Sequence, residues 1–198
     1  KINERATMSL MKTKRTRSLS MILTMIFSAF IFSTAVRSAE PVSSLMLFQA
    51  IDERLAHMED VALFKAQNQM PVEDIEREKI VLSDAKQLAS SHGLDPDSME
   101  RFFIAQISAA KAIQYRYRAA LLTREIPTRL VDLQAGIRPA LDRLGNDIIV
   151  LFATVLHSRS AMEEQSRERF MNTLQSQLLA DAEREAMFDA MLEVRRSQ

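Results

Sequence analysis

Four charged side chains flank a bend that the sequence predicts between two helices. The stretch "ALFKAQNQMPVEDIEREKIV" at 62–81 has Lys65 before its single proline, and Asp74, Arg77 and Glu78 after it. Because a helix usually ends at or before the residue that precedes a proline, these side chains lie on either side of a turn. Two cations and two carboxylates at such a bend suggest a binding site for a small polar molecule.

Arg54 and Lys65 extend this cluster along the preceding helix. They are 11 residues apart, so they differ by only about 20° around a helix axis and lie on one face. Arg77 begins the next helix, which must turn back past the first, and three cations therefore face a common space. Glu78 adds a carboxylate to which a hydroxyl group could donate, and Gln114 adds a neutral donor from a later helix. This set suits a small dianion that carries a hydroxyl group.

The alternative is that these side chains form only a solvated helix face. Residues four apart on a helix, such as Glu73 and Arg77, attract each other there without any ligand. Neither Arg54 nor Lys65 is expected at a helix C-terminus, where the helix dipole would account for a cation. The spacing alone leaves both interpretations open.

Other site chemistries find little support. The chain has no cysteine, which excludes disulfides, thiolate catalysis and cysteine-based zinc sites. The three histidines, His57, His92 and His157, fall on three different predicted segments, and no serine lies in a nucleophile elbow. We therefore predict a site without a metal ion or a cofactor.

The elements that must position these residues are predicted to be helices. The chain of 198 residues contains only 3 glycines and 5 prolines and has no alternating β-branched run, so we predict an all-α fold of about five helices. In "HGLDPDSMERF", Gly93 suits a position just after a helix, Asp95 an N-cap and Pro96 the first helical position. The expected helices run from about Val42 to Asn68, from the N-cap Asp74 to Ser91, from Pro96 to Thr123, from a start between Asp132 and Pro139 through "DIIVLFATVL", and from Arg159 to Val194.

The first 39 residues differ in character from the rest. Basic residues at 12–17 precede the uncharged "SLSMILTMIFSAFIFSTAV", and small residues lead to "RSAEPV". This order is typical of a secretory signal peptide, which we predict at 1–39 with cleavage near 35–39. The alternative is an uncleaved membrane anchor, although the apolar core is interrupted by serine and threonine and is short for a span of about 20 apolar residues.

Removal of this segment would leave an acidic protein. The full chain has 26 basic and 26 acidic residues, and 1–39 contains seven of the basic and one of the acidic residues, so 40–198 carries a net charge of about −6. Such a chain is a poor candidate for binding nucleic acid or anionic membranes. We predict a periplasmic or secreted protein with no nucleic-acid partner and no membrane association after signal removal.

Two stretches resemble a known enzyme family. "DERLAHMEDVALFKAQNQMPVEDIERE" and "GLDPDSMERFFIAQISAAKAIQYRYRA" are similar to the secreted, γ-type all-helical chorismate mutases, most strongly from about Phe48 to Arg118. The Arg-x10-Lys spacing, the "P-[IV]-E-D" turn and the "Q-x7-Q-Y" helix carry the resemblance. It implies the chorismate mutase type II fold for 40–198, with a catalytic-like half at 40–125 and a C-terminal helical half at 126–198.

The resemblance also implies an isomerase that rearranges chorismate to prephenate without a cofactor. Arg54 and Arg77 resemble the arginines that hold the two carboxylates of the substrate. Lys65 and Gln114 match the pair that hydrogen-bonds the ether oxygen. Glu78 matches the carboxylate that receives the ring hydroxyl group.

Further implications of the resemblance concern the edge of this site. Asp74 lies at the neighbouring turn, and a last arginine from the C-terminal half of the chain is expected at Arg138, with Arg129 and Arg143 as alternatives. Ala110 stands where relatives often have serine or threonine, so one hydrogen bond to the substrate is expected to be missing. A homodimer is implied as well.

The sequence also allows two other functions. A non-enzymatic exported helical protein that binds a small dicarboxylate or a partner helix would need the arginines, but not two donors such as Lys65 and Gln114 at an ether oxygen. A helical adaptor would instead use the charged fifth helix, Arg159–Val194, as its working surface. Loss of chorismate in the presence of purified 40–198 would separate the enzyme from both.

Overall fold

The computed structural model of the protein describes residues 42–123, 125–157 and 166–198. The regular elements in these ranges are helical, as predicted, and one isolated β-bridge joins Leu94 to Arg196. The predicted signal peptide lies outside the described residues. The helices are α1 (Val42–Ala56), α2 (Met58–Gln67), α3 (Ile75–Ser91), α4 (Pro96–Leu121), α5 (Arg138–His157), α6 (Arg167–Thr173) and α7 (Asp181–Leu192).

Capping residues begin α3 and α4 where the sequence predicts them. Asp74 accepts a hydrogen bond from the backbone N–H of Arg77 at 3.2 Å, and Asp95 accepts one from the N–H of Ser98 at 2.7 Å. Each bond satisfies an N–H group that has no partner within its own helix. Gly93 follows α3 with φ of +69°, a conformation that costs glycine little. These predicted helix ends are confirmed.

The predicted first helix, 42–68, is interrupted at His57. The ψ angle of His57 is −11°, compared with about −42° in a regular α-helix, so α1 and α2 are separate elements. The N–H of Val61 still donates to the carbonyl of His57 at 3.0 Å, which confines the interruption to one residue. The hydrophobic periodicity misses this break because no proline or glycine marks it.

The fourth predicted helix begins inside the expected interval. A π-helical turn, Leu133–Ile137, is capped by the side chain of Asp132 and leads into α5 at Arg138. The N–H of Arg138 donates to the carbonyl of Leu133, and Pro139, which has no N–H, follows at the change from π-helical to α-helical hydrogen bonding. This capped turn fixes the position of Arg138, the first residue of α5.

The prediction of one continuous helix from Arg159 to Val194 is wrong for the part that the structure describes. Helices α6 and α7 are separated by residues 174–180, in which Leu174 and Leu179 are buried in the core. The backbone N–H of Gln175 donates to the Asp52 carboxylate of α1 at 2.8 Å. Burial and this long-range bond therefore override the local preference for a helix.

Helix α4 occupies the centre of the described fold, where it packs against α2, α3 and α7, while α1 packs against α5. Aromatic pairs join elements that are distant in the sequence: Phe102 contacts Phe152 edge-on at 4.9 Å between ring centroids, and Phe48 contacts Phe170 at 5.3 Å. Helices long and apolar enough to cross a membrane do not occur in the described ranges. The packing leaves a cavity walled by α1–α5.

Candidate active site

One cavity brings together all seven residues that the sequence analysis assigned to a site. Helices α1 and α2 contribute one cation each, the bend and first turn of α3 contribute three residues, and α4 and α5 contribute one each. Apolar side chains complete the wall, among them Met58, Val61, Val81 and Leu141. The seven predicted residues on the wall are Arg54, Lys65, Asp74, Arg77, Glu78, Gln114 and Arg138.

Arg54 is a buried cation with few compensating contacts. Arg54 lies in the last turn of α1 and Lys65 in the last turn of α2, so the expectation that neither is at a helix C-terminus is wrong. Arg54 is 6% exposed, and its guanidinium lies 5.9 Å from the centroid of the Phe103 ring. Its Nε has no hydrogen-bond partner among the described residues. Burial lowers the pKa of Arg54 to about 10, although the charge of Asp142 opposes this shift. The charged form of Arg54 is therefore poorly solvated inside the protein.

Lys65 is the second buried cation and is also 6% exposed. Its ammonium group donates a hydrogen bond to the backbone carbonyl of Val72, across the bend between α2 and α3. Burial lowers the pKa of Lys65, and the nearby carboxylates of Asp74 and Glu78 offset part of that effect. Since an ammonium group has three donors, Lys65 keeps capacity for a ligand while it holds the bend.

The other cations on the wall are each paired with a carboxylate. Arg138 Nη2 lies 3.3 Å from Asp74 Oδ2, and Lys111 Nζ lies 3.1 Å from Glu78 Oε2. Arg77 on α3 forms a salt bridge with Asp142 on α5. These pairs account for every carboxylate that lines the cavity.

Arg54 and Lys65 are thus left without a salt-bridge partner among the described residues. The wall carries five cations and three carboxylates, a formal surplus of two positive charges in a partly apolar environment. Burying unpaired charge is costly and is common where a protein binds a ligand of opposite sign. The cavity is therefore complementary to a small dianion.

Gln114 offers a neutral donor next to these cations. It is 5% exposed, and its Nε2 donates to the Ala110 carbonyl at 3.3 Å and lies 3.6 Å from the sulfur of Met58. Both contacts are longer than a good hydrogen bond, so the amide retains donor capacity toward the cavity. Its Oε1 has no partner among the described residues.

The solvated-face alternative does not describe this arrangement. Glu73 accepts a hydrogen bond from the Tyr115 hydroxyl, while Arg77 pairs with Asp142, so the expected Glu73–Arg77 pair does not form. The burial of Arg54 likewise differs from that of a solvated cation.

Arg138 is the predicted C-terminal arginine that lines the cavity. Arg129 pairs instead with Asp60 on α2, and Arg143 is exposed and away from the wall. Among the histidine and acidic residues in the described ranges, no group could hold a metal ion.

Sequence reasoning missed two charged residues of the wall, Lys111 and Asp142. Lys111 lies three residues before Gln114 on α4 and holds Glu78. Asp142 lies one helical turn after Arg138 and holds Arg77. Both could have been predicted from helical spacing, because Lys111 is three residues from Gln114 and Asp142 is four residues from Arg138, and residues at these spacings share a helix face.

Comparisons with known proteins identify relatives of the chain. The family model described as chorismate mutase type II matches residues 45–115, which include six of the seven predicted site residues. The chain is 35% identical over 170 residues to a secreted chorismate mutase of Yersinia pestis, covering 86% of this chain and 90% of that protein. It is 32% identical to a monofunctional chorismate mutase of Enterobacter agglomerans, over 80% of this chain and 87% of that protein.

Solved structures agree as well. The crystal structure of secreted chorismate mutase from Yersinia pestis superposes with a TM-score of 0.73 at 35% identity, covering 77% of this chain and 98% of that one. Chorismate mutase from Burkholderia thailandensis superposes with a TM-score of 0.63 at 29% identity, over 76% of this chain and 98% of that one. The identity and coverage of the relatives, together with the shared helical fold, show that the chain belongs to the family of secreted, all-helical chorismate mutases.

Proposed function

We propose that this protein is an isomerase that converts chorismate to prephenate. The observation that carries the proposal is the pair of buried cations that form no salt bridge with a described residue, Arg54 and Lys65, in a cavity with a surplus of two positive charges. Chorismate is a dianion with a ring hydroxyl group and an ether oxygen. Its rearrangement is intramolecular and needs neither a nucleophile nor a cofactor.

The arginines serve to select a reactive conformation of the substrate. Arg54 and Arg77 bind its two carboxylates, with Arg138 at the edge of the same cavity. A guanidinium binds a carboxylate through two parallel hydrogen bonds, which fixes orientation as well as position. Held in this way, the enolpyruvyl side chain lies over the ring, and the two carbons that must bond are kept close together.

Lys65 and Gln114 act on the charge that develops during the reaction. As the carbon–oxygen bond breaks and the new carbon–carbon bond forms, negative charge grows on the ether oxygen. The Lys65 ammonium and the Gln114 amide are buried donors from α2 and α4. Donors that are already in place when charge develops contribute about 10²–10³ each to a rate.

Glu78 completes the set by accepting a hydrogen bond from the ring hydroxyl group. Its carboxylate is 3.1 Å from the Lys111 ammonium, which holds it in place on the cavity wall. Asp74 caps α3 and pairs with Arg138, so it acts on the shape of the site. Ala110 lines the cavity with a methyl group, in keeping with the absence of a side-chain hydrogen bond there.

We also propose that the protein acts outside the cytoplasm. Relatives from Yersinia pestis and Mycobacterium tuberculosis are named secreted chorismate mutases, and the composition of 1–39 supports an export signal. Mass spectrometry of the exported protein should give a mature N-terminus between Val36 and Glu40. An intact, membrane-embedded N-terminus would contradict this part of the proposal.

The enzymatic proposal is tested by incubating the purified protein with chorismate. We expect chorismate absorbance to disappear and prephenate to form in equal amount, with no added cofactor and no effect of a metal chelator. Tight binding of chorismate without turnover would contradict the proposal and favour the alternative, a non-enzymatic protein that binds a small dicarboxylate.

A further inference from the structure

The salt bridge between Arg77 and Asp142 joins α3 to α5 across the cavity wall. Arg77 belongs to the first turn of α3, and Asp142 lies one turn into α5. Arg77 is one of the two arginines proposed to bind a substrate carboxylate. In the structure, the carboxylate of Asp142 therefore contacts the same guanidinium that is proposed to bind a carboxylate of the substrate.

Asp142 differs from the other two carboxylates of the wall in how firmly it is held. Asp74 also caps α3 through the N–H of Arg77, and the side chain of Glu78 is 23% exposed. The side chain of Asp142 is 55% exposed, and Arg77 is its only hydrogen-bond partner within the described residues. Of the three carboxylates, Asp142 is therefore the least constrained by its contacts and the most exposed to solvent.

Space for such a movement exists beside the cavity. A second groove lies between α3 and α5 over the Phe103 ring, and its polar lining includes Gln87, Asn146 and the carboxylate of Asp84. Arg54 and Asp142 line both the cavity and this groove. Because Asp142 already lines this groove and its side chain is exposed, its carboxylate can turn from Arg77 toward solvent and still lie near Arg54, whose charge it also offsets.

We propose that Asp142 is an exchangeable counter-ion: it neutralises Arg77 in the empty protein and swings into the adjoining groove when a substrate carboxylate takes its place. This inference rests on the proposed function of the cavity as a dicarboxylate site. Asp142 is then a residue that sets specificity, since any anion entering the site must first compete with it. Weak or misplaced anions do not displace a carboxylate that is already in contact with Arg77.

The test is Asp142→Asn, which keeps the shape of the side chain but removes the competing charge. Because the salt bridge is partly exposed, we expect a modest effect: the KM for chorismate falls about two- to fivefold while kcat stays the same. The affinity for isophthalate, a ring dicarboxylate that does not react, rises by about the same factor in a calorimetric titration. Asp147→Asn is the matched control, because it removes the same charge from an exposed position of α5 that lines neither space.

The outcomes separate this inference from the proposed function. A raised KM in Asp142→Asn would mean that Asp142 orients Arg77 for the substrate, and would overturn the exchange. Unchanged binding, or equal tightening in Asp147→Asn, would overturn it too. If wild type and variants fail to turn over chorismate while isophthalate binds more tightly to Asp142→Asn, the exchange stands and the proposed function fails.

Discussion

At the scale of single residues, the protein keeps two cations where an apolar core would be more stable. Arg54 and Lys65 are each 6% exposed, and burial lowers the pKa of both. The stability that is lost in this way is recovered when a dianion binds, since a ligand that binds only the folded state stabilises it. Both the stability and the pH dependence of the protein should reflect this.

Replacing Arg54 with an apolar residue of similar length should separate stability from activity. We expect Arg54→Met to raise the free energy of unfolding by about 1–3 kcal/mol, because an uncompensated buried charge is removed. The same change should lower kcat/KM by about two orders of magnitude or more, as it removes a carboxylate ligand. Urea denaturation and chorismate kinetics measure the two effects. A variant that is less stable than wild type would show that Arg54 is well compensated within the fold.

The dependence of kcat/KM on pH follows from two properties: the Lys65 ammonium group titrates, and the Gln114 amide does not. An amide donates at every pH, so kcat/KM should be flat from about pH 5 to 8. Activity needs the protonated ammonium of Lys65, whose pKa is lowered by burial, so kcat/KM should decline on the alkaline side before pH 10.5 is reached. A bound dianion raises that pKa again, which should move the decline of kcat to higher pH.

Gln114→Glu provides the matching variant for this profile. A carboxylate at this position donates only when protonated, and its ionised form would repel the charge on the ether oxygen, so the plateau should become an acid-favoured profile. The comparison is kcat/KM against pH for both proteins. A mutant profile of unchanged shape, or a wild-type profile that already falls steeply between about pH 5 and 7, would remove Gln114 from the site.

The sequence predicts which residues line the site better than it predicts which of them pair with each other. Arg54 and Lys65, which are 11 residues apart, and Gln114 on a later helix were predicted as site residues, and all three line the cavity although the first predicted helix is interrupted at His57. The partners Lys111 and Asp142 were not predicted, because their pairing depends on how α4 and α5 pack against α3. Which cations stay unpaired is a property of the assembled cavity and is not encoded in the spacing along one helix.

At the scale of elements, the bend between α2 and α3 combines a structural and a functional role. Lys65 donates to the carbonyl of Val72 in the bend, and Arg118 of α4 donates to that of Met70 at 2.8 Å. Asp74 then caps α3 and contacts Arg138. The bend therefore positions the first turn of α3, which bears Arg77.

Two aspartate caps allow these roles to be tested separately. Asp74→Ala should lower the free energy of unfolding by about 0.5–2 kcal/mol and should also raise the KM for chorismate, because Arg138 loses its partner. Asp95→Ala, at the start of α4, removes an equivalent cap away from the cavity and should cost similar stability without changing KM. Equal effects of the two variants on KM would show that Asp74 acts only through helix stability.

Helix ends were predicted correctly where a glycine, a proline or a capping aspartate occurs at the end, and were missed elsewhere. Gly93, Asp95 and Pro96 mark the end of α3 and the start of α4, and the structure agrees. The break at His57 has no such mark, and the segment 174–180 leaves the helical path through burial and a bond to a distant helix. Tertiary contacts of this kind cannot be read from local sequence.

At the scale of the whole molecule, both halves of the chain contribute residues to the cavity. Arg54 comes from α1 and Arg138 from the start of α5, and both line the same wall. If the protein forms the homodimer that the family resemblance implies, each subunit should hold a complete site. Mixed dimers of an Arg54→Ala subunit with an Arg138→Ala subunit should therefore regain no activity. Substantial recovery in the mixture would mean that subunits share residues across their interface.

The central claim is that the unpaired cations of the cavity catalyse the rearrangement of chorismate. The most direct test is the initial rate of chorismate loss for purified wild type, Lys65→Ala and Lys79→Ala. Lys79 is the control, because it lies exposed on α3 and pairs with Glu76 outside the cavity. We expect wild type and Lys79→Ala to turn over chorismate at the same rate, and Lys65→Ala to lose about 10²–10³ in kcat while it remains folded. Turnover by Lys65→Ala within a few-fold of wild type would contradict the account.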